Sequence, residues 1–199
     1  TAFINKKISR AISKSIIHSK VQDAIKEGWK IKKKNKKQTT MEYPKNIENW
    51  YEEYCWGVLA KMNFDYMNDI SNNKSKSESF KLPYKVDSKT VNTKQVDLFV
   101  ANEEIVIIGE CKTSKTRKKV DHKEKVEAYN SKVEDLRTNT RKMFPGRKII
   151  FIWFTYQCIY NKDTTIPALN KKWVHFNYDT ISYYETLSKN LGTAAIYQL

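Results

Sequence analysis

Between Gln95 and Lys112 an aspartate interrupts one apolar run, and a Glu-Cys-Lys tripeptide closes the next. The first run, Gln95 to Ala101, alternates Val96, Leu98 and Val100 against Gln95, Asp97 and Phe99, which is the period of a strand. Asn102-Glu103 can turn the chain. Ile105 to Lys112 is then almost continuously apolar, as a strand covered on both faces must be. Period-two geometry sends Val106, Ile108, Glu110 and Lys112 to one side of it. A turn over Ala101 to Glu104 brings Asp97 beside Glu110. Charges gathered in this way are costly to bury unpaired. A divalent ion between Asp97 and Glu110 offsets that cost, and Mg²⁺ favours one or two carboxylates with water and phosphate oxygens. Lys112 is then placed to orient or deprotonate a metal-bound water, or to neutralise charge in the transition state.

The elements around this pair predict an α/β layer structure. Residues 3–27 carry Ile4, Ile8, Ile12, Ile16 and Ile17 among Lys and Arg, which predicts an amphipathic helix ending at Gly28. Trp29 to Lys32 and Gln38 to Tyr43 form a short basic hairpin closed by Pro44. Residues 46–63 form a second helix, with Tyr51, Cys55, Val58, Leu59 and Met62 on its apolar face. A polar loop over 68–78 leads to a first strand at Phe80 to Val86, followed by the two strands above. Lys119 to Met143 is helical again, with Val126, Tyr129, Val133, Leu136 and Met143 as its stripe, and Pro145-Gly146 ends it. Strands at Lys148 to Thr155 and Trp173 to Phe176, a short helix at Thr165 to Lys172 and a last helix at Thr180 to Asn190, stopped by Gly192, complete the series.

Charge narrows the partners. The net charge is +15, and residues 1–40 hold eleven lysines and one arginine against one aspartate and one glutamate. Such an excess favours a polyanion. The 40% hydrophobic and 13% aromatic content is enough for a core and argues against global disorder. Cys55, Cys111 and Cys158 form no CxxC pair and, with His18, His122 and His175, no zinc spacing. Free thiols fit a cytoplasmic setting. No apolar run approaches the ~18 residues of a membrane span, and no signal-peptide core is seen. The start at Thr1 and the abrupt end at Leu199 read as a fragment of a longer chain.

Asp97, a twelve-residue spacer and Glu110-x-Lys112 resemble the motif of the PD-(D/E)XK nuclease superfamily. The likeness runs from about Glu48 to Phe176. It implies a restriction-endonuclease-like αβββαβ core, a mixed sheet flanked by helices, in residues 45–199, with residues 1–44 as a basic helical appendage. It implies that Asp97 and Glu110 bind Mg²⁺ or Mn²⁺ and that Lys112 is the catalytic lysine. A helical glutamate joins many such sites; Glu52 is the candidate here, with Glu48 and Glu53 as neighbours. Val96 stands where the motif name has proline, and Thr113 and Ser114 follow Lys112 where some members carry Gln or Asn. A fainter similarity links Gly28-Trp29, Pro44, Glu52…Trp56 and Leu191-Gly192 to N-terminal regions of bacterial DGQHR-motif proteins associated with DNA phosphorothioation and defence; the DGQHR motif is absent.

The expected activity is metal-dependent cleavage of DNA phosphodiesters in a bacterial restriction, defence or DNA-modification context. The expected partner is double-stranded DNA. Lys115, Arg117, Lys118 and Lys119, just beyond Lys112, and Lys32, Lys33 and Lys34 are the expected phosphate contacts. A homodimer and a further C-terminal domain are compatible with this picture. Two other classes stay open: a catalytically silent nuclease fold that binds DNA or a protein, and a membrane-surface protein using the helix at 3–27. His122 has two readings, general base or surface residue.

Overall fold

The computed structural model describes residues 10–62, 64–67, 81–85, 91–191, 194 and 196. Its chain order is β1 (Ala11–Ile17), a 3-10 turn (His18–Lys20), α1 (Val21–Lys26), β2 (Lys30–Lys34), β3 (Gln38–Pro44), α2 (Ile47–Ala60), β4 (Tyr66–Met67), β5 (Lys81–Lys85), β6 (Val91–Gln95), β7 (Leu98–Ala101), β8 (Ile105–Lys119), α3 (Lys123–Met143), β9 (Lys148–Ile159), α4 (Thr165–Asn170), β10 (Val174–Asn177) and α5 (Tyr178–Leu191).

The central sheet has the order β10-β9-β8-β7-β4. β10, β9 and β8 run parallel, β7 is antiparallel to β8, and β4 is in turn antiparallel to β7, so the sheet is mixed. One face packs on α2 and α5 through Tyr51, Cys55, Val58, Leu59, Ile181 and Tyr184. The other packs on α3 and α4 through Val126, Val133, Leu136, Ala168 and Leu169. Covering on both faces explains why β8 and β9 are apolar at consecutive positions. The expected mixed α/β sheet flanked by helices is therefore present. β5 and β6 form a separate two-stranded ribbon, tied to α3 where Asn139 Nδ2 donates to the Pro83 carbonyl at 2.8 Å.

Gly109 fixes how closely these layers meet. A Cβ there would lie 2.8 Å from Phe154 Cε2 and 2.9 Å from Leu98 Cβ. Glycine thus lets β7 and β9 side chains close against β8 one residue before Glu110.

Several expectations need correction. The helix expected over 3–27 is a strand at Ala11–Ile17 and a helix only at Val21–Lys26; residues 1–9 lie outside the described part. β1 pairs along its length with β3, from Ala11↔Pro44 to Ile17↔Gln38. Ladder bonds and the β preference of Ile16-Ile17 outweigh a four-residue apolar spacing that looked helical. The basic appendage is thus mainly a three-stranded sheet, β1-β3-β2, built on the expected hairpin. This also removes, among the described residues, the amphipathic helix on which the membrane-surface reading relied. No described helix is long and apolar enough to cross a membrane.

The strand expected over Gln95 to Ala101 is broken at Val96 and Asp97, between β6 and β7. Val96 accordingly joins Phe99 and Ala101 on the α3 face, while Leu98 and Val100 face α2. β8 runs to Lys119 rather than Lys112, because Lys118 and Lys119 pair with Cys158 and Ile159; the following helix starts only at Lys123. Met143, expected on the buried stripe, is 51% exposed. The loop at 68–78 and Gly192 lie outside the described residues.

Candidate functional site

The site is built where β7 and β8 diverge. Leu98 pairs with Gly109, so the next step back along β7 sets Asp97 against Glu110. Asn102 makes the turn: its Oδ1 accepts from Glu104 N at 3.0 Å and Ile105 N at 2.8 Å. Because the chain leaves strand geometry at Asp97, the carboxylate is free to accept the Cys111 N–H at 2.8 Å. Glu110 and Lys112 lie two residues apart on one face, and Lys112 Nζ donates to Glu110 Oε1 at 3.1 Å and to the Cys111 carbonyl at 3.1 Å.

Electrostatics follow from this crowding. Burial, then the adjacent Glu110 carboxylate, raise the Asp97 pKa well above the usual aspartate range, and a hydrogen bond to Glu110 adds to it. Two carboxyls this close cannot both ionise without a neighbouring cation. For Lys112, burial alone disfavours the ammonium, but the carboxylates of Glu110 and Asp97 outweigh it and leave its pKa raised. Lys112 is therefore a resident positive charge at neutral pH.

Glu52, on α2, comes in from the opposite face of the sheet. Burial pushes its carboxyl up to about 7, with Lys112 opposing and Glu48 and Glu110 adding to the rise. The other two helical candidates are used otherwise. Glu53 is paired with Lys45, and Glu48 is exposed in the first turn of α2. Glu52 thus has the environment of a group that exchanges a proton near neutrality.

A stability prediction arises here. Glu52 has its ordinary value of 4.5 in the unfolded chain and about 7 in the fold. Below 4.5 it is protonated in both states and costs nothing. As pH rises through this window the unfolded state loses its proton first, so stability falls, and the loss is complete above about 7. In chelator, Glu52→Gln should match wild type at pH 4.5 and be the more stable protein at pH 8, read by urea unfolding. Parallel pH profiles would show that Glu52 is not desolvated.

Two neighbours carry no motif signal and were missed. Tyr129, assigned to the apolar stripe of α3, turns its phenol to Glu110 Oε1 at 2.8 Å. Lys94, on β6, reaches Glu110 Oε2 at 3.4 Å and lies 4.6 Å from the Tyr129 ring centroid. Tyr129 could have been suspected as an amphipathic residue on the helix after Glu-x-Lys. Nothing in the spacing singled out Lys94.

The remaining predicted residues are placed as follows. Lys115, Arg117, Lys118 and Lys119 are exposed on the far part of β8. Lys32, Lys33 and Lys34 are exposed on β2, an edge strand of the separate three-stranded sheet, and Lys32 pairs with Glu42 at 3.5 Å. His122 is neither free nor on the helix proper: its Nδ1 hydrogen-bonds to the Tyr160 hydroxyl at 2.9 Å, and burial with Lys125 and Lys112 nearby lowers its pKa.

The donor set suits a hard divalent ion. Asp97 and Glu110 supply two carboxylates, and the Cys111 carbonyl lies beside them on Lys112. These are oxygen donors of the kind Mg²⁺ and Mn²⁺ take. Among the described residues no group of three His, Cys, Asp or Glu side chains could hold a metal, so an ion held by Asp97 and Glu110 would need water or substrate oxygens to complete its coordination.

No family model matches the chain, and no curated protein matches it. Among solved structures it is similar to protein VC1899 from Vibrio cholerae, at 13% identity and a TM-score of 0.41 over 88% of this chain and 42% of that one. It is also similar to Can2 from Sulfobacillus thermosulfidooxidans, solved in complex with cyclic tetra-adenylate, at 14% identity and a TM-score of 0.39 over 89% of this chain and 46% of that one. The chain spans less than half the length of either.

Proposed function

We propose that this chain is a metal-dependent endonuclease that hydrolyses DNA phosphodiester bonds, with a PD-(D/E)XK-type site in a bacterial restriction, defence or DNA-modification setting. The observation that carries it is the convergence of Asp97, just before β7, with Glu110 and Lys112 on β8. Burial, and then the closeness of Glu110, hold the Asp97 carboxyl well above the usual aspartate range. When bound, Mg²⁺ or Mn²⁺ supplies a more acidic water and charge stabilisation at the phosphorus. Asp97 and Glu110 hold the ion. Lys112 donates from its ammonium toward the developing phosphorane charge. Glu52, with its carboxyl near neutrality, takes a proton from solvent-side water. Lys115, Arg117, Lys118 and Lys119 align the backbone by phosphate contacts.

Plasmid DNA incubated with the protein and Mg²⁺ or Mn²⁺ should be nicked or linearised, and chelator should stop it. Calorimetry should show Mn²⁺ binding that Asp97→Asn and Glu110→Gln each remove. Mn²⁺ heats identical for wild type and both variants would eliminate this site. Metal binding without cleavage of any substrate would leave the same fold as a DNA- or protein-binding module.

A further inference from the structure

We propose that Lys94 is a built-in competitor for the divalent-ion site and, once displaced, a phosphate-contacting residue of the same site; this rests on the metal-site reading above. Glu110 is saturated in a particular way. Its Oε1 already accepts from Lys112 Nζ at 3.1 Å and from the Tyr129 hydroxyl at 2.8 Å. Oε2 is the oxygen these two donors leave for a metal ion, and Lys94 Nζ stands 3.4 Å from it.

Lys94 is delivered there by the β5–β6 ribbon, not by the strands that carry the motif. In that ribbon it pairs with Leu82, which is fully buried, and the ribbon is held to α3 through Asn139. The stem is thus anchored while the head remains accessible, with 20% of the side chain exposed. Its ammonium also faces the Tyr129 ring at 4.6 Å. A cation over an aromatic face keeps a second stable position when its carboxylate is taken. An incoming dication therefore exchanges for Lys94 at Oε2, and the released ammonium stays beside the ion. There it meets a phosphate oxygen from the side of Glu110 away from Lys112.

The test is titration of Mn²⁺ into wild type, Lys94→Met, Lys94→Arg and, as a remote control, Lys162→Met. Methionine keeps the stem on the Tyr129 ring and removes the charge. Losing a charged competitor should lower the Mn²⁺ Kd about tenfold in Lys94→Met. Lys94→Arg and Lys162→Met should stay near wild type. Duplex DNA binding, with Ca²⁺ in place of Mg²⁺, should move the other way: Lys94→Met binds more weakly, with a salt slope shallower by about 0.9. Tighter metal with weaker DNA is a pair of effects that general destabilisation does not produce. If wild type binds Mn²⁺ and Lys94→Met binds it equally or less well, the competition is overturned while the metal site stands. An unchanged salt slope overturns the phosphate contact. If wild type binds no Mn²⁺, the metal-site reading fails and this proposal fails with it.

Discussion

Lys112→Ala is expected to lower DNA cleavage by about 10²- to 10⁴-fold, the usual cost of losing an electrostatic or proton-transfer contributor. The structure refines the reason. Glu110 and Asp97 raise the Lys112 pKa, so on the proposed mechanism the side chain would act as a fixed ammonium rather than as a neutral base. Its loss should fall on kcat, with DNA affinity nearly unchanged, because on the proposed reading other lysines and Arg117 carry the backbone contacts. Lys112→Arg should not restore the rate. The planar guanidinium cannot place one point charge between Glu110 Oε1 and the Cys111 carbonyl, which the ammonium now bridges at 3.1 Å to each. The measurement is single-turnover cleavage with saturating protein and Mg²⁺. A rate within threefold of wild type for Lys112→Ala would remove Lys112 from the chemistry.

The second large effect concerns stability. Trp153 is fully buried on β9, directly opposite Glu110 in the β8–β9 ladder. Its indole N–H donates to the Tyr160 hydroxyl at 2.9 Å. Its rings meet Tyr129 and Trp173 edge-on, both with centroids 5.3 Å away. Trp153→Ala should cost about 3–5 kcal/mol, much of the roughly 5–15 kcal/mol that a domain has. Trp153→Phe fills part of the space and should lose less, chiefly the Tyr160 hydrogen bond. Urea unfolding midpoints of the three proteins decide it; a loss below about 1 kcal/mol for alanine would mean that the site collapses around the cavity. The metal site should weaken along with the fold, since Tyr129 reaches Glu110 from a position braced by Trp153.

Legibility in the sequence followed the period of each segment. β8 was legible because burial on both faces demands unbroken apolar residues, and Glu110 and Lys112 then stand out as exceptions. α2 and α3 were legible from their stripes. β1 was not, because isoleucines four apart satisfy a helix locally, and only the ladder with β3, far along the chain, decides otherwise. The break at Val96–Asp97 was hidden for a similar reason. Val96, Leu98 and Val100 alternate as if on one face, yet the bend that frees Asp97 for Cys111 N also sends Val96 to the other layer. Lys94 was invisible because its importance depends on where a separate ribbon docks on α3, which no local pattern encodes.

The extension of β8 past Lys112 also sets a length scale. Lys112 is paired with Thr155 and Lys119 with Ile159. Four residues of β9 therefore separate the two levels, about 13 Å at the rise of a strand. Duplex DNA advances about 3.4 Å per nucleotide on one strand, so on the nuclease reading the lysines of this β8 extension would follow a backbone for roughly four base pairs to one side of the scissile bond. On the nuclease reading the footprint is lopsided, and a single chain lies on its duplex with a defined polarity.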